Sequence, residues 1–504
     1  LTGSGLIEEK AIIHSKMKKI LSVQSRPMIL SRPLILSWLL ILSGLLIFSV
    51  PLRAQYLKVS ENKRFLVTAG GEPFFWLGDT GWEMLHGLDR GEMEHYMRNR
   101  AGKGFTVIQT VIVAELDGLT FPNMEGNLPF EDFDPERPGE AYFGLVDYAV
   151  EKAREFGLVL ALLPTWHRYV LPGSHPLRNE EAVFTPENAY AYGKFLGERY
   201  INAPNIVWVL GGDWPADAQI DIWDAMARGL ADGENDQEGR VHLVTYHPRG
   251  QQTSSTWLHN REWLDFNMVQ TGHQAPSFNV YDWIYSDYLL TPPKPVVNGE
   301  PAYEGVGIWF NAANPRHDDY EIRKQAYWSV FAGAFGHTYG NNNIWQMNRE
   351  QGSGRIWANQ TWDRALEAPG SGQLIHLRNL MESRPFLTRI PDQEILLGSN
   401  PPHASDHVRV TRDGTPGGAD ATYIMAYLPY YRSFTIDTRV IPGKEILVWW
   451  YHPRTGHAFL QGRMENTGKF EFSNWNDMVK EGQGGPDWVV VIDDAASGYG
   501  PPGR

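Results

Sequence analysis

The chain contains no cysteine. Disulfides, thiolate-bound zinc and cysteine nucleophiles are therefore excluded together, and 504 residues provide a core large enough to do without covalent staples. Positive charge is also scarce: 45 Lys and Arg stand against 59 Asp and Glu, a formal charge of −14. A field of that sign repels phosphate backbones and argues against nucleic acid as a partner. The patterns G-x-S-x-G, H-E-x-x-H, the P-loop and a strand-borne G-x-G-x-x-G are all missing, which weakens serine hydrolase, metalloprotease and nucleotide-binding readings.

What is present is an ordinary globular composition, 42% hydrophobic and 21% charged, rich in aromatics with 19 Trp, 22 Tyr and 22 Phe. Near the amino terminus, Met17-Lys18-Lys19 and the basic residues Arg26 and Arg32 precede an apolar run from Leu34 to Leu52, with Ala54 just before Gln55. A basic region, a hydrophobic stretch and a small residue in that order read as a secretory signal. Residues 1–54 are therefore expected to be an upstream extension and signal peptide, and the remainder secreted, periplasmic or displayed at the cell surface. The apolar run could also span a bilayer once, so a membrane is a partner only if this segment stays uncleaved.

From Tyr56 to about Pro385, short β-rich apolar runs alternate with longer helical patterns, the grammar of parallel βα units. Eight strands are predicted, at 74–77, 106–113, 158–163, 206–210, 242–245, 266–270, 295–298 and 336–339. Helices are predicted at 90–103, 142–156, 186–200, 216–231 and 320–334. Eight strands with helices between most of them fit a (β/α)8 TIM barrel over residues 55–384, preceded by a hairpin around Glu61-Asn62 that closes its floor. After about Arg384, short strands separated by turns such as Asp413-Gly414 and Pro442-Gly443 predict a C-terminal β-sandwich over 385–504.

A βα barrel carries its chemistry at the carboxyl ends of the strands. Those positions hold Asp79 after strand 1, Glu115 after strand 2, Trp166 and His167 after strand 3, and Gly211-Gly212-Asp213-Trp214 after strand 4. His247 follows strand 5, Gln270 and His273 strand 6, Glu300 and Tyr303 strand 7, and Trp345 strand 8. Acids, imidazoles, amides and indoles suit a sugar, whose hydroxyls need hydrogen-bond partners and whose C–H face stacks on rings.

Glycoside hydrolysis needs two carboxyl groups flanking one bond. Strands 4 and 7 face each other across an eight-stranded barrel, which singles out Asp213 and Glu300 as the catalytic pair. Asp79, Glu115, Trp166, His167, Trp214, His247, Gln270, His273, Tyr303 and Trp345 are left as substrate-binding candidates. The three histidines read as hydroxyl partners rather than metal ligands, so no metal and no cofactor is expected.

The segments Phe74-Phe75-Trp76-Leu77-Gly78-Asp79-Thr80-Gly81-Trp82, 103–109, Ala114-Glu115-Leu116-Asp117-Gly118, Trp208-Val209-Leu210-Gly211-Gly212-Asp213 and 298–304 together resemble the apiosidase-like glycoside hydrolase family 140. Most barrel glycosidases with acids on strands 4 and 7 carry Asn-Glu after strand 4. The Gly212-Asp213 found here is the pattern of the apiosidase-like family itself. The resemblance implies that Asp213 is the acid/base and Glu300 the nucleophile of a retaining hydrolase. It also implies a plant cell-wall substrate, the apiosyl–galacturonan bond of the pectin rhamnogalacturonan II. The C-terminal region, with Trp449-Trp450-Tyr451-His452-Pro453, resembles a module that follows such barrels and bears a provisional collagen-binding label; packing against the barrel is the expected role. The same barrel acting on another glycan, or a non-catalytic carbohydrate-binding surface protein, are the alternatives at this point.

Overall fold

The computed structural model describes residues 56–234, 241–350, 354–472 and 486–504. The expected leader lies outside the described residues. Among the described residues no helix is long and apolar enough to cross a membrane.

Eight parallel strands form the barrel: β1 (Trp76–Thr80), β2 (Val107–Val113), β3 (Val159–Thr165), β4 (Ile206–Gly211), β5 (Val244–His247), β6 (Asn267–Gln270), β7 (Val296–Asn298) and β8 (Gly336–Tyr339). Their residues are buried without alternation, as expected where one face lines the barrel interior and the other is covered by helices. The ladder runs β5-β4-β3-β2-β1-β8-β7-β6. The seam between β5 and β6 is closed by other bonds. Thr245 Oγ1 donates to Phe266 O at 2.7 Å, Val244 N to Asp265 Oδ2 at 2.7 Å and Asp265 N to Val244 O at 2.9 Å. On its free edge β6 instead pairs with the antiparallel segment Gln252–Thr253.

The covering helices include α1 (Arg90–Gly102), α2 (Glu140–Glu155), α3 (Pro186–Tyr200), α4 (Ile220–Gly233), α5 (Val280–Tyr288), α6 (Asp319–Phe331) and α7 (Pro369–Glu382). Asp89 and Thr185 cap α1 and α3 through reciprocal capping boxes, which supply acceptors for otherwise unpaired N–H groups. Strand β1 begins at Trp76 rather than Phe74. Phe74 belongs instead to a small sheet beneath the barrel, paired with Leu66, which in turn sits in a ladder with Val59.

Past the barrel, β9 (Arg409–Arg412), β10 (Tyr423–Leu428), β12 (Glu445–Tyr451), β13 (Ala458–Glu465) and β15 (Trp488–Asp494) make one antiparallel sheet with Ile390–Pro391 at its edge. Strands β11 (Phe434–Asp437) and β14 (Lys469–Phe472) pair with Leu396–Leu397 in the second. Period-two alternation divides the first sheet's labour. Tyr423, Met425, Tyr427, Trp449, Tyr451, Val489 and Val491 join the barrel core, while Ile424, Ala426, Leu428, Val448, Trp450, Val490 and Ile492 form the sandwich core.

Buried ion pairs reinforce this junction. Arg323 of α6 donates to both oxygens of Asp487 at 2.7 Å, and Arg384 to both oxygens of Asp493 at 2.9 and 2.8 Å. The sandwich is thus built into the barrel's outer layer. Three of these elements escape the sequence pattern: α5, only nine residues long, α7, whose run contains Pro369, Gly370 and Gly372, and β13, whose side chains are half-buried or exposed along its length.

Candidate active site

The carboxyl ends of the strands open into a cavity of about 360 Å³, lined among others by Trp82, Glu115, Trp166, Asp213, Gln270, His273, Glu300, Tyr303 and Trp345. Strand β4 ends in three consecutive residues of positive φ, Gly211 (92°), Gly212 (120°) and Asp213 (57°). A Cβ on Gly212 would lie 2.7 Å from the Trp166 ring, so only glycine fits. The bend leaves Asp213 in a left-handed conformation that non-glycine residues seldom adopt, with its backbone N–H directed to His247 Nδ1 at 3.2 Å.

That bond settles the tautomer. Because Nδ1 of His247 accepts, the ring proton resides on Nε2, which stands 2.9 Å from Glu300 Oε2 in a close electrostatic contact. His273 repeats the arrangement: its Nδ1 accepts from Tyr303 N at 3.2 Å, and its Nε2 faces Glu300 Oε1 at 3.6 Å. Each oxygen of Glu300 thus has an imidazole nitrogen facing it, His247 in close contact and His273 farther off. The backbone on its amino side is anchored by Gln109 Nε2, which donates to Gly299 O at 2.9 Å.

The two acids are tuned in opposite directions. Burial would push the Glu300 carboxyl up, but His247, His273 and Tyr303 outweigh it and hold the group below the usual range. Burial, followed by the charge of Glu300, pushes the Asp213 carboxyl up to about 6, against His247 and against Gln270, whose Nε2 donates to Asp213 Oδ1 at 3.0 Å. The outer edge of Asp213 is open to the cleft, so water screens it until a ligand fills the space. Glu115 is pushed further, to about 8, by burial and then by the charges of Asp213, Glu83 and Glu300.

Several expected substrate contacts are corrected. Asp79 is fully buried and accepts from Arg100 Nε at 2.5 Å and from Tyr96 O–H at 2.7 Å; its charge is spent on clamping α1 to the barrel. His167 is also buried, with Nε2 3.1 Å from Gln219 Oε1, and its ring lies beneath Trp214 at a centroid distance of 5.7 Å. It supports that indole instead of facing a ligand. His247 has no exposed surface and bridges the two acids from behind. Trp166, Tyr303 and Trp345 are buried but line the cavity, whereas Trp214 is exposed and does not line it.

Arg249, Gln251, Gln274, Trp309, Phe310 and Ile356 also line the cavity; Arg249 stands two residues after β5, as Asp213 does after β4, and the others lie farther along their loops. The one local signal at Trp309 and Phe310 is a pair of adjacent aromatics in a loop. Among the described residues no cluster of His, Asp and Glu has the arrangement of a metal site.

The family model for the apiosidase-like catalytic domain matches residues 60–388, and one for a collagen-binding domain of a collagenase matches 390–493. Among solved structures, a glycoside hydrolase is 32% identical with a TM-score of 0.78, the match covering 89% of this chain and 98% of that one. A glycoside hydrolase family 5 protein from Bacteroides vulgatus is also 32% identical, with a TM-score of 0.79 and coverage of 90% and 96%. A second Bacteroides vulgatus protein, 13% identical with a TM-score of 0.61, shares the fold. The comparison with curated proteins gave no match.

Proposed function

The chain belongs to the apiosidase-like family and is a glycoside hydrolase, and from that premise we propose that it hydrolyses the apiosyl–galacturonan bond of rhamnogalacturonan II by double displacement. Glu300 is the nucleophile and Asp213 the acid/base. The observation that carries this assignment is the opposite tuning of two carboxyls in one cleft: Glu300 held below the usual range by His247, His273 and Tyr303, Asp213 pushed up to about 6.

In the first step a Glu300 oxygen attacks the anomeric carbon as the bond to the leaving oxygen breaks, and Asp213 delivers its proton to that oxygen. In the second, Asp213 takes a proton from water, the resulting hydroxyl attacks the anomeric carbon, and Glu300 departs as carboxylate. The contacts of His247 and His273 ease that departure because they favour the ionised form. Glu115 is neutral over the working range and offers an O–H donor to a sugar oxygen. Similarity to the apiosidase-like family supports the pectin substrate, and the amino-terminal pattern supports export from the cell.

The test is incubation of residues 55–504, beside Glu300→Gln, with rhamnogalacturonan II oligosaccharides, followed by chromatography and mass spectrometry. Release of an apiose-terminated side chain by the unaltered protein alone is the expected result. Glu300-dependent cleavage of a different glycan instead would discard the substrate and keep the mechanism.

A further inference from the structure

Three large aromatic side chains beside the cleft are left uncovered: Trp309 is 62% exposed, Phe310 39% and Trp357 42%. A lone exposed ring needs no explanation, but these adjoin one another. Phe310 and Trp357 meet at 5.0 Å between centroids, and Phe310 stacks on His273 at 5.3 Å and 23°. His273 is the residue whose Nε2 faces Glu300, so the aromatic surface is continuous with the catalytic cavity, which Trp309, Phe310 and Ile356 themselves line.

The rings are also held in place at a cost. Trp309 (58°), Phe310 (52°), Ile356 (42°) and Trp357 (60°) all have positive φ, unfavourable for aromatic and β-branched residues and sustained only where the surroundings enforce it. Those surroundings are visible. Trp309 N donates to His273 O at 2.6 Å, and Asn342 Nδ2 to Ile356 O at 3.3 Å. Arg316 ties the two loops together, donating to the carbonyls of Gly305 and of Trp357, the latter at 3.0 Å.

We propose that Trp309, Phe310 and Trp357 form a stacking subsite for a second sugar ring, so that the enzyme recognises an oligosaccharide rather than a single glycosyl unit. The proposal rests on the carbohydrate reading of the cavity. The occupant is a sugar because the wall runs without a break into a cleft whose acids and amides match hydroxyls, and because flat rings fixed in advance suit the C–H face of a saccharide.

Titration calorimetry on Glu300→Gln with rhamnogalacturonan II oligosaccharides of graded length tests the idea apart from turnover. Adding W309A and W357A is expected to weaken the longer ligands by about tenfold or more and the shortest by a much smaller factor. W309F with W357F should retain most of the affinity. If Glu300→Gln binds none of these ligands, the substrate reading fails, and the same comparison is made with arabinan, galactan and mannan oligosaccharides. Equal affinity of the parent and alanine proteins for every bound length, or no binding to any glycan, overturns the subsite.

Discussion

Under the proposed mechanism, Gln270→Met probes the group expected to set the alkaline limit of activity. Gln270 Nε2 donates to Asp213 Oδ1 at 3.0 Å and so favours the ionised carboxyl. A hydrogen bond to a charged group contributes about 1.5 kcal/mol at the lower end of its range, the end suited to a site reached by water. Since one pH unit corresponds to about 1.4 kcal/mol, losing the bond should raise the Asp213 pKa by about one unit. The acid must be protonated to work, so kcat/KM in the unaltered protein should fall as pH rises through about 6. In Gln270→Met that descending limb should move up by about one unit, while the acid limb, set by ionisation of Glu300, stays in place. The assay is kcat/KM against pH on an oligosaccharide with a sugar leaving group, repeated on an aryl glycoside. A good leaving group needs no proton, so the descending limb should flatten for the aryl substrate. A limb that stays put or moves down in Gln270→Met would refute Asp213 as the titrating acid.

Glu115, pushed up to about 8, is protonated at pH 6; Glu115→Gln should therefore keep activity within about threefold there, and a far larger loss in the same rate assay would mean that its charge is used. Gly212→Ala places a methyl 2.7 Å from the Trp166 ring at φ 120°, so it should lower kcat/KM at least about tenfold and stability by about 1–3 kcal/mol, read from initial rates and urea unfolding. Arg323→Met leaves Asp487 buried without its bidentate partner and should cost about 3–5 kcal/mol. Calorimetry should show a lower Tm for the barrel and sandwich melting together, and two well-separated transitions would contradict the shared core.

Much of this protein could be read along the chain. Strands such as 206–210 and 336–339 announce themselves because barrel strands are buried on both faces and so appear as short apolar runs. Asp213 and Glu300 were visible because each stands directly after such a run, on strands three apart in an eight-stranded barrel. Asp79 shows the limit of the rule. It stands after β1 in the same manner, yet Arg100, 21 residues later, turns and neutralises it. The sandwich strand β13 was hidden because its half-exposed residues carry little apolar signal.

By itself, then, the sequence determined the barrel and the sandwich and singled out Asp213 and Glu300 as candidates, since burial patterns and residue order are properties of the chain. Tertiary structure alone decided what those acids can do. The tautomers of His247 and His273 come from backbone N–H groups of Asp213 and Tyr303, and the opposite tuning of Asp213 and Glu300 follows from desolvation and charge acting through space. The aromatic wall likewise exists only because folding brings residues 309–310 beside 357. Electrostatic and stacking energies depend on distances of a few ångströms, and such distances between residues tens of positions apart come into being only when the chain is folded.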